Sequence, residues 1–107
     1  MLYKFKSKAA GDVIMLAANG DQVMRILGRQ PAPQGILEVA DMPAALAAIE
    51  AAVREGEQAL REAEDAAHAA GEPPPRREAV SLRQRTWPLA EMIKRSHAAQ
   101  ADIVWGV

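Results

Sequence analysis

The sequence contains no cysteine, which excludes a disulfide framework, a thiolate nucleophile and any sulfur-ligated metal centre. Aromatic residues are scarce as well: one Phe, one Tyr and two Trp among 107 residues. These side chains bury the most area per residue, so their positions, Tyr3 and Phe5 at one end, Trp87 and Trp105 at the other, mark where the core must be closed. An excess of either charge is also missing, with 13 Lys and Arg against 14 Asp and Glu for a net charge of −1. That balance argues against a dedicated nucleic-acid or membrane-surface protein. No apolar run approaches the roughly 20 residues of a membrane span; the longest stretches from Met42 to Ile49. The first residues alternate apolar with basic side chains and have no apolar signal-peptide core. A soluble, cytoplasmic protein is therefore expected, with no membrane partner and with nucleic acid a disfavoured one.

What remains suffices for one domain over residues 1–107 with a core of its own. Half the residues are apolar, although many are alanine. The charge is unevenly placed: residues 41–72 carry eight acids and two arginines, while the flanking segments are mildly basic.

Leu2 to Lys6 alternates with the two-residue period of a strand, placing Tyr3 and Phe5 on one face. After a small polar turn, Val13-Ile-Met-Leu16 is apolar on both faces, the pattern of a central strand covered on two sides. The two segments are predicted to form a hairpin. Asn19-Gly20 is a hairpin-turn signal, yet Val23, Met24, Ile26 and Leu27 have helical spacing. A short helix capped by Asn19 or Asp21 and ended by Gly28 is preferred. Pro31 to Gly35 is a loop, and Ile36-Leu-Glu-Val39 a candidate edge strand.

Asp41 is predicted to cap a long Ala-rich helix reaching about Ala70, with Pro43 in its first turn. Met42, Leu46, Ile49, Val53, Gly56, Leu60, Ala63 and Ala67 keep a heptad-like spacing that weakens from Gly56 onward. At about 40 Å such a helix outruns a domain of this size, so its second half is expected to project or to break near Gly56. Glu50/Arg54 and Glu57/Arg61 have the favourable i, i+4 order of an exposed helix. Residues 71–79 form a Pro-rich linker. Ser81 and Gln84 match a capping box; either that helix kinks at Pro88, or it starts at Thr86 with Pro88 in its first turn. Ile103 to Val107 is a strand whose only evident partner is the N-terminal hairpin. The predicted fold is thus α+β, a three-stranded antiparallel sheet with helices packed on it and Phe5 and Trp105 buried. The methionines at 15, 24, 42 and 92 are assigned to the core.

Catalytic chemistry finds no foothold. His68 and His97 lie far apart without a companion ligand at metal-binding spacing, so neither a metal nor another cofactor is indicated. Ser96 and His97 project to different helix faces and cannot act as nucleophile and base. The carboxylates of the long helix have the look of a solvated face, and the scattered glycines match no phosphate-binding loop. One constellation stands out. In a helix Arg83 would stack on Trp87; in an extended segment Arg83, Arg85 and Trp87 would share a side and, with Arg76 and Arg77, hold an anion. The competing reading buries Trp87 as the anchor of a helix start, shielded by arginine stems or by arginines bridging to acids. Lys4, Lys6 and Lys8 can extend a basic patch or guard a strand edge.

Several strings in order, Met1-Leu-Tyr-Lys-Phe-Lys-Ser-Lys8, Gly11-Asp-Val-Ile-Met-Leu16, Ala40-Asp-Met-Pro-Ala44, Ser81-Leu-Arg-Gln-Arg85 with Trp87-Pro88, and Val104-Trp-Gly-Val107, resemble the bacterial family known as domain of unknown function 1840. The resemblance spans essentially the whole chain, with residues 54–79 as variable filler. It implies a small cytoplasmic bacterial protein and brings no activity or site residue. From the residues themselves, the function expected is that of a non-enzymatic binding or adaptor protein. Its partner would be another protein or a second copy, joined through the 42–70 helix. The alternative is an anion or nucleic-acid binding module centred on Arg83, Arg85 and the N-terminal lysines.

Overall fold

A computed structural model describes residues 2–107. Two strands, β1 (Leu2–Ser7) and β2 (Ala10–Leu16), form the N-terminal hairpin, with a register shift between Phe5 and Ser7. Helix α1 (Ala17–Ile26) follows directly, then the short strand β3 (Gly35–Leu37) and a single 3-10 turn at Val39–Asp41. Helix α2 runs unbroken over Met42–Ala69, α3 over Leu82–Ala98, and β4 over Ile103–Trp105. Between α2 and α3, residues 72–81 form neither helix nor strand.

All strand pairs are antiparallel, in the order β2-β1-β4-β3. The sheet therefore has four strands rather than the three expected. The added strand is the candidate at Ile36–Val39, shifted to Gly35–Leu37, and it pairs with β4 rather than standing apart. As expected, the two ends of the chain meet: β1 and β4 are neighbours at the centre, with Phe5 opposite Trp105.

The alternation in β1 has the foreseen consequence. Tyr3 and Phe5 point inward and stack at 5.8 Å between centroids, and Trp105 meets Phe5 edge-on at 5.6 Å. Phe5 and Trp105 are both buried, with the four assigned methionines and Val23, Leu37, Ile49, Val53, Leu89, Ile93 and Ile103. Burying a side chain of this kind contributes roughly 1.5–3 kcal/mol, which offsets the cost of ordering so short a chain. The Trp105 indole Nε1 donates to the Ala32 carbonyl at 3.2 Å, and the Arg29 guanidinium sits 6.0 Å from its ring centroid. Two further buried hydroxyls are satisfied: Ser96 shares a 2.6 Å bond with Ser7, and Thr86 Oγ1 donates to the Leu82 carbonyl at 2.8 Å.

Helix α1 starts four residues before Asp21, at Ala17, and neither Asn19 nor Asp21 caps it. Asn19-Gly20 lies inside the helix because Gly20 is buried against the ring of Tyr3, where a Cβ would fall 2.1 Å from Cδ2. Asp21 instead accepts a 2.6 Å hydrogen bond from the Tyr3 hydroxyl. Asp41 occupies the N-cap position of α2, but its side chain makes no cap bond and lies 3.8 Å from Arg29. The Ser81/Gln84 capping box is complete in both directions and starts α3 at Leu82, so Pro88 lies within the helix rather than in its first turn. With no N–H on Pro88, the Gln84 carbonyl loses its intrahelical donor.

All three helices end in the same way. The pairs Arg29 N–H to Met24 O and Gly28 N–H to Arg25 O close α1; Glu72 to Ala67 and Gly71 to His68 close α2; Ala101 to Ser96 and Gln100 to His97 close α3. This double bond is the Schellman motif, and it needs a left-handed residue after the cap. Gly28 and Gly71 supply it, while at α3 the residue is Gln100 with φ 56°.

Only the first half of α2 belongs to the core, through Met42, Ala45, Ile49 and Val53. Past Val53 no residue of the helix is fully buried, and the protein is 52 Å along its longest axis. The second half projects without breaking at Gly56. The segment returning from its tip lies alongside, with Arg77 bonded to Glu64 at 2.7 and 2.9 Å.

Candidate functional site

The arginines singled out by the sequence do not converge. Positions 83 and 85 are about 200° apart around a helix, so their side chains leave α3 in different directions. Arg83 reaches across to α2, placing Nε 3.2 Å and Nη2 2.9 Å from the two carboxylate oxygens of Glu57, with Glu50 at 3.9 Å. That bond holds the Glu57 carboxyl below its ordinary range and the guanidinium above its own. Glu57 is thus drawn to Arg83 rather than bridged to Arg61, while Glu50 and Arg54 keep the expected pair at 3.3 Å. Arg85 turns the other way, to Glu78 at 3.2 Å and Asn19 Oδ1 at 3.4 Å. Arg77 is held by Glu64, and Lys4 lies 3.6 Å from Asp12. Each of these cations already faces a carboxylate.

Trp87 corrects two expectations. It is 61% exposed, so it does not anchor the start of the helix. Nor does Arg83 stack on it; among the described residues the cation–π contact is that of Arg29 with Trp105. The buried positions of α3 are Thr86, Leu89, Met92, Ile93 and Ser96, and Trp87 falls outside that stripe. No group of three or more His, Asp or Glu side chains converges among the described residues, and none of their helices is long and apolar enough to cross a membrane. Ser96 is buried, with its hydroxyl 2.6 Å from that of Ser7.

A different surface emerges from the strands. Helices pack on the side of the sheet that carries Tyr3, Phe5, Met15 and Trp105. Because side chains alternate, the partner residues in register, Leu2 with Leu16, Lys4 with Ile14, and Lys6 with Val104 and Ile36, all belong to the other side. Nothing covers it. Leu2 is 57% exposed, Ile14 58%, Leu16 66% and Ile36 40%. A solvated sheet face normally reads polar, and this one is mostly apolar.

β2 is therefore an edge strand with one covered face, not the central, doubly covered strand its sequence suggests. The signal for this surface was present in the sequence as Val13-Ile-Met-Leu16, apolar on both sides. The described residues of the chain cover one of those two sides.

Charges are interleaved in the apolar surface. Lys4 and Lys6 stand on the central strand β1, with Asp12 beside Lys4 and the Val107 backbone oxygen 3.3 Å from the Lys6 ammonium. At the hairpin end the face runs into an open groove of about 670 Å³ lined by Lys6, Lys8, Ile36, Gln100, Asp102 and Val104. The Asp102 carboxylate accepts from the Val39 amide at 3.1 Å, fixing the floor of the groove to the turn before α2.

No curated protein and no solved structure matches the chain. The family model of the domain of unknown function DUF1840 matches residues 1–105, and the chain belongs to that family.

Proposed function

We propose that this protein is a small, cytoplasmic, non-enzymatic binding module, an adaptor that engages a protein partner through the uncovered face of its sheet. The observation that carries this reading is the exposure of Leu2, Ile14, Leu16 and Ile36 on one side of a four-stranded sheet. Exposed apolar surface of this kind is costly to leave in water and typically marks an interaction site. The 42–70 helix contributes less than its heptad suggests. Beyond Val53 its stripe offers Gly56, Leu60, Ala63 and Ala67, and Leu60 is half-buried on the side to which the returning segment is tied. Anion binding at Arg83 and Arg85 has little support, since each guanidinium is occupied by a carboxylate on its own side of α3.

The test is site-specific photo-crosslinking in cells, with the reactive amino acid placed at Ile14 or, as control, at the exposed Glu62 of α2. Discrete protein adducts from position 14 and none from position 62 are expected. Absence of any adduct from position 14 would sink the reading.

A further inference from the structure

We infer that the occupant of the uncovered sheet face is a second copy of this chain, packed sheet against sheet about a two-fold axis. The inference rests on the reading of that face as the binding surface and names its partner.

Three observations favour a second copy. The first is the sequence of β2. Its outward residues Ile14 and Leu16 are as apolar as its inward Val13 and Met15, the composition of a strand buried on both sides. Helices of the same chain cover one side only. The missing layer must match a mostly apolar surface, and an identical face does so.

The second is charge. Of the lysines standing among the apolar residues, Lys4 has its own counter-charge in Asp12 at 3.6 Å, and Lys6 donates to the Val107 backbone oxygen at 3.3 Å. A two-fold contact brings a patch against itself. Uncompensated lysines would then repel across the axis, whereas a Lys4–Asp12 pair meeting its reversed copy places cation by carboxylate. A strongly acidic partner would find Lys4 already engaged.

The third is area. Leu2, Ile14, Leu16 and Ile36, with Val104 and the alkyl stems of the lysines, offer on the order of 600 Å² per protomer, so about 1,200 Å² in the pair. That lies at the lower bound for a specific, stable interface. It also accounts for a face that keeps a few charges, since the protomer is not buried enough there to depend on its partner for folding. An association in the micromolar range is expected, with monomers that remain folded.

Sedimentation equilibrium of the full chain, from about 1 µM to about 500 µM, tests this. The weight-average mass should climb from 11.5 kDa toward twice that value. Ile14→Lys and Leu16→Glu should each weaken association by at least about tenfold. Both positions are exposed, so circular dichroism and the urea midpoint at low protein concentration should not change; Ile14→Ser serves if either charged variant misfolds. Glu62→Lys on α2 should leave association as in the wild type. A monomer at every concentration overturns the proposal, as does association that Ile14 and Leu16 variants leave intact while Glu62→Lys abolishes it. The two readings fail separately: adducts from position 14 to other proteins by a monomeric chain remove the second copy and keep the binding face, whereas no adduct removes both.

Discussion

Replacing Gly20 by alanine sets two effects of opposite sign against each other. Position 20 lies in α1, where exchanging Gly for Ala ordinarily stabilises a helix by about 1 kcal/mol. Here the new methyl would fall 2.1 to 2.6 Å from three ring carbons of Tyr3, against an ordinary carbon–carbon contact of roughly 3.5–4.0 Å. The ring must retreat by about 1.5 Å to restore that spacing. It has little room, being stacked on Phe5 at 5.8 Å and tied by its hydroxyl to Asp21 at 2.6 Å. Overpacking of this kind costs about 1–3 kcal/mol, and a displaced ring weakens a bond to a carboxylate worth about 1.5–3 kcal/mol. The net expectation is a loss of about 2 kcal/mol and a fall in Tm on the order of 10 °C. Urea unfolding followed by tryptophan fluorescence measures it, since Trp105 reports on the same aromatic row. A double-mutant cycle separates the two effects: in a Tyr3→Leu background Gly20→Ala should become neutral or stabilising. A Gly20→Ala protein as stable as the wild type would falsify the packing argument and leave helix propensity as the only term.

Two further outcomes follow from local geometry. Gln100→Gly should raise stability by about 0.5–1 kcal/mol, because Gln100 holds a φ of 56° that glycine adopts without strain; a loss instead would mean that its side-chain bond to the His97 carbonyl at 2.7 Å outweighs the strain. Tyr3 is the only tyrosine, and its hydroxyl is held above the ordinary value of 10.0 by burial and then by the bond to and charge of Asp21. On raising the pH the unfolded chain loses this proton first, so the stability it contributes is complete below about pH 10 and is lost as pH rises through the folded-state value. Tyrosinate absorbance should therefore appear late in the native protein and with unfolding, and Tyr3→Phe should flatten the alkaline limb of the stability curve. A phenolate forming at the usual pH in the folded protein contradicts this.

Whatever depends on neighbours in sequence was legible. The alternation of Tyr3 and Phe5, the capping box at Ser81 and the long helix to within a residue at each end all follow from local period or local bonding. The pairing of the two chain ends is long-range and followed by elimination, the N-terminal hairpin being the one evident partner of the terminal strand. Contacts set by a particular distant side chain were not legible. Gly20 reads as a turn former until Tyr3 is placed over it. Strand β3 is three residues long, and its first residue is a glycine that looks like loop; it is held by Trp105, whose indole leaves no room for a Cβ at Gly35. Arg83 and Arg85 look like a pair because they are near in sequence, yet their partners Glu57 and Asn19 come from other helices. Trp87 has the size and apolarity of a core anchor, one of two readings its sequence allows, yet the burial stripe of α3 passes it by. The uncovered sheet face was visible as surplus hydrophobicity in β2, but sequence cannot say whose atoms supply the missing layer.

The central position of β4 has a consequence for the order in which this protein is made. Strand β1 leaves the ribosome roughly 100 residues ahead of its inner neighbour β4. Joining Phe5 to Trp105 closes a loop of roughly 100 residues, an entropic cost of about 4 kcal/mol before any contact repays it. Until then β1 has only its hairpin with β2, and an isolated two-stranded hairpin is marginally stable at best in water. Tyr3 can meet α1 as soon as that helix is made, whereas Phe5 waits for Trp105. Folding of this chain is a late event governed by one long-range closure, slow for its size. A nascent chain halted before residue 103 would hold the hairpin and its helices but lack the strand that covers Phe5 and joins β1 to β3.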